Sequence, residues 1–201
     1  TTCCVASTRL PLILWLLLKK PKMLKLQRAT ENPIIQPAKE HTWESKATFN
    51  PAAIYLGGKV HIVYRAMSDD NTSVFGYATS KDGIHIDYRS PEPIYIPRER
   101  FEQKLVPGGN SGCEDPRLTK IGTKLYMFYT AYNGREYPRV AVTSISVANF
   151  LSQKWNWSKP VVITPPEIDN KDAFLFPQAL DGKYICVHRF GSGIDYDFSP
   201  G

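Results

Sequence analysis

The sequence has few cysteines, no sustained helical periodicity, no long apolar run and no basic stripe interleaved with aromatics, and each absence removes a class of protein. Of the four cysteines, Cys3 and Cys4 stand in an unusual N-terminal segment, leaving Cys113 and Cys186 far apart and without paired metal-ligand spacing. That pattern excludes a disulfide framework and a zinc site. Both residues are expected as small buried hydrophobes in a reducing, cytoplasmic compartment, and no metal is expected. The apolar run Leu10 to Leu18 is far shorter than the roughly 20 residues that cross a bilayer, so no membrane partner is expected. The formal charge of +6 invites a nucleic-acid reading, but Arg9, Lys19, Lys20 and Lys22 supply four of those charges, and only +2 remains without them. With no basic stripe beyond residue 22, no nucleic-acid partner is expected.

The N-terminal 22 residues open on Thr1, and basic Lys19-Lys20-Pro21-Lys22 follow the apolar run where a small-residue cleavage site would lie. Residues 1–22 are therefore expected to be a leader of upstream translation, or else a targeting segment, with Met23 the natural beginning. What is present after it is a globular composition, 42% hydrophobic and 12% aromatic over the whole chain. Short runs rich in Val, Ile, Tyr, Phe and Thr alternate with Gly, Asn, Asp and Pro, which predicts an all-β protein.

The runs repeat. Phe49-Asn50-Pro51 leads to Gly58-Lys59-Val60, Glu114-Asp115-Pro116 to Gly122-Thr123-Lys124, and Leu175-Phe176-Pro177 to Gly182-Lys183-Tyr184. After each Lys comes an apolar strand, 60–64, 125–129 and 184–187, so each unit begins as a hairpin turned at glycine. Third strands are predicted at 74–79 and 139–144, and fourth strands at 84–88 and 155–157. Four-stranded antiparallel units repeating at this interval predict a β-propeller whose first strands line a central channel. Residues 23–201 hold about two and a half to three such blades, an incomplete propeller domain with an open edge strand.

On that reading Asn50, Asp115 and the Phe176 region occupy equivalent places around one axis. Strict alternation puts Asp115 and Arg117 on one strand face and Glu114 on the other, with Pro116 able to bend the register. Trp155 and Trp157 are expected to fill space between blades, and His41, His61 and His85 to be structural.

Ser111-Gly112-Cys113-Glu114-Asp115-Pro116-Arg117 resembles the Gly-x-Glu-Asp-Pro-Arg signature of glycoside hydrolase family 130. Glu31-Asn32-Pro33-Ile34, Phe49-Asn50-Pro51-Ala52, Val63-Tyr64-Arg65-Ala66, Tyr129 to Gly134, Asn170-Lys171-Asp172-Ala173 and His188-Arg189 are similar to that family's other motifs, in order. The resemblance implies a five-bladed propeller that phosphorolyses β-mannosides or mannooligosaccharides to α-mannose 1-phosphate with inversion, some members hydrolysing instead. It implies Asp115 as the single general acid, acting through the sugar's 3-hydroxyl, with inorganic phosphate as co-substrate and no cofactor. Asn50, Arg65, Glu114, Arg117 and Tyr132 are the implied substrate-binding residues, Trp43 joining Tyr132 as a stacking surface. Arg139, Lys171, His188 and Arg189 are the implied phosphate ligands, with Arg135 an alternative to Arg139.

With phosphate as the nucleophile the resemblance implies, no second carboxylate is needed as base, unlike the usual inverting pair. A rival five-bladed hydrolase would want an Asp where Asn50 stands. A non-catalytic carbohydrate-binding propeller is the reading from another class, and a homo-oligomer is left open. One physical tension is expected at the site. A general acid must hold its proton near neutral pH, and Arg117 on the same face works against that unless burial outweighs it or Arg117 turns to Glu114.

Overall fold

The computed structural model describes residues 25, 27–191 and 193–198, so the expected leader 1–22 lies outside the described residues. Contacts divide the chain into a unit 1–30 and a unit 31–201, and every strand among the described residues belongs to the second. Two antiparallel meanders come first: β1 (Ala47–Leu56), β2 (Lys59–Met67), β3 (Thr72–Ser80) and β4 (Tyr88–Arg89), then β5 (Ser111–Ile121), β6 (Lys124–Tyr132), β7 (Arg139–Ser146) and β8 (Val161–Val162). A short helix α1 (Val147–Leu151) follows β7, its Ser146 N-cap accepting from the Asn149 N–H. A third meander holds β9 (Asn170–Leu175), β10 (Ile185–Phe190) and β11 (Gly193–Phe198).

The turns explain the hairpins. Gly57 and Gly58, and again Asp181 and Gly182, have positive φ at both central positions, the primed turn whose twist matches the flanking strands. The predicted fourth strands are corrected. Residues 84–87 and 155–157 carry no strand, and the fourth strands are the two-residue β4 and β8. The cause of the first is visible, since Asp82 gathers the amides of Ile84 and His85 into a tight turn.

Alternation along the central strands places each of the first two meanders between two apolar layers. In β2 and β3, Ile62, Tyr64, Ala66, Val74 and Ala78 pack with Ile34, Ile35 and Ile86 on one side. Val63, Phe75 and Tyr77 face the other way, joining Leu125, Met127, Tyr129, Phe150 and Trp157 in the layer between the first two meanders. The opposite face of β6 and β7, with Phe128 and Val140, packs on Ala173, Leu175 and Cys186 of the third. Successive meanders therefore stack face to face. The strands β1, β5 and β9 border one open depression of about 580 Å³, reached by Pro51, Arg117 and Phe174.

Trp155 and Trp157 pack edge-on against Phe150 in the layer between meanders, and the Trp157 indole N–H donates to the Ile94 carbonyl. The histidines sit in local contacts, His41 with Glu44, His61 with Tyr77 and His85 with Asp82. Among the described residues Cys113 and Cys186 form no disulfide, and burial pushes the Cys113 thiol well up.

The first two meanders meet in a short parallel pairing, Thr72 with Ser111 and Ser73 with Gly112. Gly112 is required there, because its φ is 111° and an added Cβ would lie 2.1 Å from the Ser73 carbonyl oxygen. Gly112→Ala is expected to destabilise the fold by about 3 kcal/mol through backbone strain and overpacking. Urea denaturation checks this, and an unshifted midpoint would show that the seam opens without cost.

Candidate active site

Arg65 is the arginine of β2 that shares a face with Val63, so its guanidinium points across the layer between meanders towards β5. There it donates from Nη2 to Glu114 Oε1 at 2.8 Å and from Nη1 to Asp115 Oδ1 at 3.2 Å. Its Nε donates to Ser73 Oγ at 3.0 Å, and the group lies 4.6 Å over the Phe49 ring. The Asn50 side-chain amide adds a second donor to Asp115 Oδ1 at 2.8 Å. Among the described residues Asp115 Oδ2 has no hydrogen-bond partner.

How two adjacent carboxylates reach one arginine follows from the backbone. β5 is bulged between Glu114 and Arg117, with Asp115 at φ 54°. The extra residue breaks alternation and re-aims the side chain, and Asp tolerates the left-handed conformation better than most residues. The expectation that Glu114 and Asp115 face opposite ways is thereby corrected. Arg117 does not pair with either carboxylate; its Nη1 donates to the Pro116 carbonyl and it borders the open depression.

The same device recurs in each meander. β1 is bulged between Phe49 and Ala52 with Asn50 at φ 46°, and the β9–β10 pairing shifts opposite His188 with Asp172 at φ 56°. The third equivalent of Asn50 and Asp115 is therefore Asp172, not the Phe176 region. Proline follows the first two stations, as Pro51 and Pro116, whereas Ala173 follows the third, so aligning the repeats on Pro177 missed it.

Burial raises the Glu114 carboxyl above the ordinary glutamate range; Arg65 and Lys171 pull it down, and Asp115 and Asp172 push it further up. The charges of the third meander therefore act on the site. Lys171 pairs with Arg189 across β9 and β10, and Arg189 Nε lies 2.9 Å from Asp172 Oδ2. That contact is an ion pair whose angle does not suit a hydrogen bond, leaving Nε without one. His188, adjacent in sequence, is on the other face of β10, buried with Nδ1 2.9 Å from Asn170 Oδ1.

Arg139 and Tyr132 stand at the strand ends beside these groups. Arg139 pairs with Ala131 and Tyr132 with Gly112, and the Asn170 N–H donates to the Pro138 carbonyl. Arg135 is exposed, its backbone N–H held by Asn133 Oδ1. Trp43 is anchored away from the carboxylates through its indole N–H to the Pro91 carbonyl. No group of three or more His, Cys, Asp or Glu able to hold a metal ion occurs among the described residues. Among the same residues, no helix is long and apolar enough to cross a membrane.

The raised Glu114 value has a sign. Folding favours its protonated form, so its contribution to stability is full below the ordinary glutamate value and is lost as pH rises through the raised one. Glu114→Gln cannot ionise, so its stability relative to the unsubstituted protein is expected to improve on going from about pH 4 to about pH 7. Urea midpoints at the two pH values test this, and an offset independent of pH would remove Glu114 from the titration.

Comparison with known proteins agrees with the signature around Asp115. A family model described as β-1,4-mannooligosaccharide phosphorylase, of glycoside hydrolase family 130, matches residues 16–197. A β-1,2-mannobiose phosphorylase of Thermoanaerobacter sp. is 36% identical over 180 residues, covering 83% of this chain and 55% of the relative. A 1,2-β-oligomannan phosphorylase of the same organism is 37% identical over 175 residues, covering 83% and 54%. A solved structure from work on family 130 glycoside hydrolases that target β-1,2 mannosidic linkages in Candida mannan superposes with TM-score 0.69 at 27% identity, covering 86% of this chain and 54% of that one. The chain thus spans about half the length of the relatives it matches. With a match across most of its own residues and more than a third of the aligned residues identical in two curated relatives, the chain belongs to glycoside hydrolase family 130.

Proposed function

We propose that the whole protein is an inverting glycoside phosphorylase of the hexosyl-transferring kind. It cleaves β-mannosides, those with 1,2 linkages first, with inorganic phosphate and releases α-mannose 1-phosphate. The observation that carries this reading is the state of Asp115. One carboxyl oxygen is held by Asn50 and Arg65, and the other has no protein partner among the described residues, so Oδ2 is free to meet a substrate hydroxyl. The names of the two Thermoanaerobacter relatives support the sugar and the linkage.

In this mechanism Asp115 passes its proton through the mannosyl 3-hydroxyl to the glycosidic oxygen. The C1–O bond breaks, the acceptor leaves with that proton, and a phosphate oxygen bonds to C1 from the opposite face. Phosphate carries about two negative charges and calls for cations, Arg as a fork and Lys as a point charge. Lys171 and Arg189, next to each other across β9 and β10, are the pair best placed for it, with Arg139 a further candidate; His188, buried on the other face of β10 against Asn170, would act only by supporting that strand. Asn50, Glu114, Arg117 and Tyr132 would serve the mannoside. Arg65 has most of its donors committed to Ser73, Glu114 and Asp115, so its part is to hold the acid in place.

Three face-to-face meanders with their first strands around one depression support a five-bladed propeller for the whole protein. We place its work in the cytoplasm, where phosphate is at hand and a sugar phosphate is retained. Asn50, neutral at the station equivalent to Asp115, argues against a hydrolase that would need a carboxylate there to activate water.

Mannose 1-phosphate release from β-1,2-mannobiose by the whole protein is expected to require phosphate, and Asp115→Asn to lower kcat/KM by about 10²- to 10⁴-fold, the usual range for a general acid. Mannose release without phosphate would instead make the protein a hydrolase. Undiminished turnover by the variant would remove Asp115 from the reaction.

A further inference from the structure

Two arginines occupy the same register in different meanders. Arg65 pairs with Phe49, the residue before the left-handed Asn50, and Arg189 pairs with Lys171, the residue before the left-handed Asp172. Their surroundings differ. The Arg65 side chain is 10% exposed and is hydrogen-bonded through Nε, Nη1 and Nη2. The Arg189 side chain is 41% exposed, meets Asp172 at Nε in an ion pair without a hydrogen bond, and among the described residues has no hydrogen bond or ion pair at either Nη. One arginine is spent on the protein; the other keeps its fork for a ligand.

We propose that Asp172 is a positioning residue that holds the Arg189 guanidinium through an ion pair at Nε and so leaves the Nη pair, beside Lys171, to phosphate. This rests on the phosphorylase reading. The bulge gives the carboxylate its place, since a left-handed φ of 56° turns the Asp172 side chain out of the strand's alternation. Sequence order alone would not reveal it, because a carboxylate beside an anion site is at first sight repulsive. Its value lies in fixing a long, entropy-rich side chain before the anion arrives, which is what an arginine fork needs to bind bidentately.

The two effects of the carboxylate have opposite signs, and this makes the proposal testable. If Asp172 mainly repels phosphate, removing its charge lowers KM for phosphate. If it positions Arg189, the same change raises it. Asp172→Asn keeps a residue that tolerates positive φ, and Asp172→Gly keeps the backbone conformation with no side chain at all. In the whole protein both variants are expected to raise KM for phosphate about 10-fold, the loss of one charge-assisted contact to the arginine, with KM for the mannoside and the urea midpoint unchanged. Combined with Arg189→Lys, Asp172→Asn is expected to add little further. An unchanged or lowered KM for phosphate overturns the proposal, as does loss of folding in both variants, which would make Asp172 structural. If the unsubstituted protein shows no dependence on phosphate, the phosphorylase reading itself fails, a result distinct from any of these.

Discussion

The guanidinium of Arg65 is the contact on which the site depends. Two carboxylates adjacent in sequence sit at the seam of two meanders, and leaving such groups buried together without a cation would be strongly unfavourable. Arg65 satisfies both at once while its own Nε is held by Ser73 and its face by Phe49. Each of those supports belongs to the first meander, whereas Glu114 and Asp115 belong to the second. The ion pairs are therefore also a clamp between repeats, and Gly112 is part of it, because only a residue without Cβ lets β5 come close enough to Ser73.

The bulge is the second constraint, and it converts a repeating scaffold into a site. A regular strand would send Glu114 and Asp115 to opposite faces and leave Arg65 with one partner. A left-handed residue at the same place in each first strand turns one polar side chain per meander towards common ground: Asn50, Asp115 and Asp172. Their identities differ where the chemistry differs. Asn50 donates to Asp115 and cannot take a proton from water, Asp115 keeps one oxygen unengaged, and Asp172 meets an arginine of its own meander. The electrostatic reach between stations is visible at Glu114, whose proton affinity responds to Lys171 and Asp172 as well as to its immediate neighbours.

Much of this was legible in the sequence because hairpin turns and first strands have strong local signals. Glycine at the turns and apolar runs after Lys59, Lys124 and Lys183 mark the units, the repeat puts Asn50 and Asp115 at equivalent places, and the resemblance to family 130 adds Arg65 to them. The failures have physical causes. Fourth strands of two residues carry almost no pattern, and Trp155 to Trp157, β-prone in composition, are held by packing on Phe150 instead of by a ladder. The face assignment of Glu114 assumed alternation that a bulge abolishes, and bulges leave little trace in sequence beyond an Asn or Asp that many turns share. The third station escaped because its neighbour is Ala173, while proline, the conspicuous marker, had moved to position 177 in a longer hairpin.

The contrast between Arg65 and Arg189 shows why residue type at a repeated position does not decide role. An arginine can anchor a buried carboxylate or bind an incoming anion, and the difference lies in how many of its donors the protein has already taken. At Arg65 the protein has taken Nε and both Nη atoms in a setting that excludes most water, so releasing them to a ligand would leave Glu114 and Asp115 uncompensated. At Arg189 a single ion pair at Nε leaves the fork unengaged among the described residues, and a dianion can bind there without breaking protein contacts. A fold built from repeated meanders can thus give one copy of an arginine to the acid and another to the nucleophile, according to how many of its donors the surrounding protein engages.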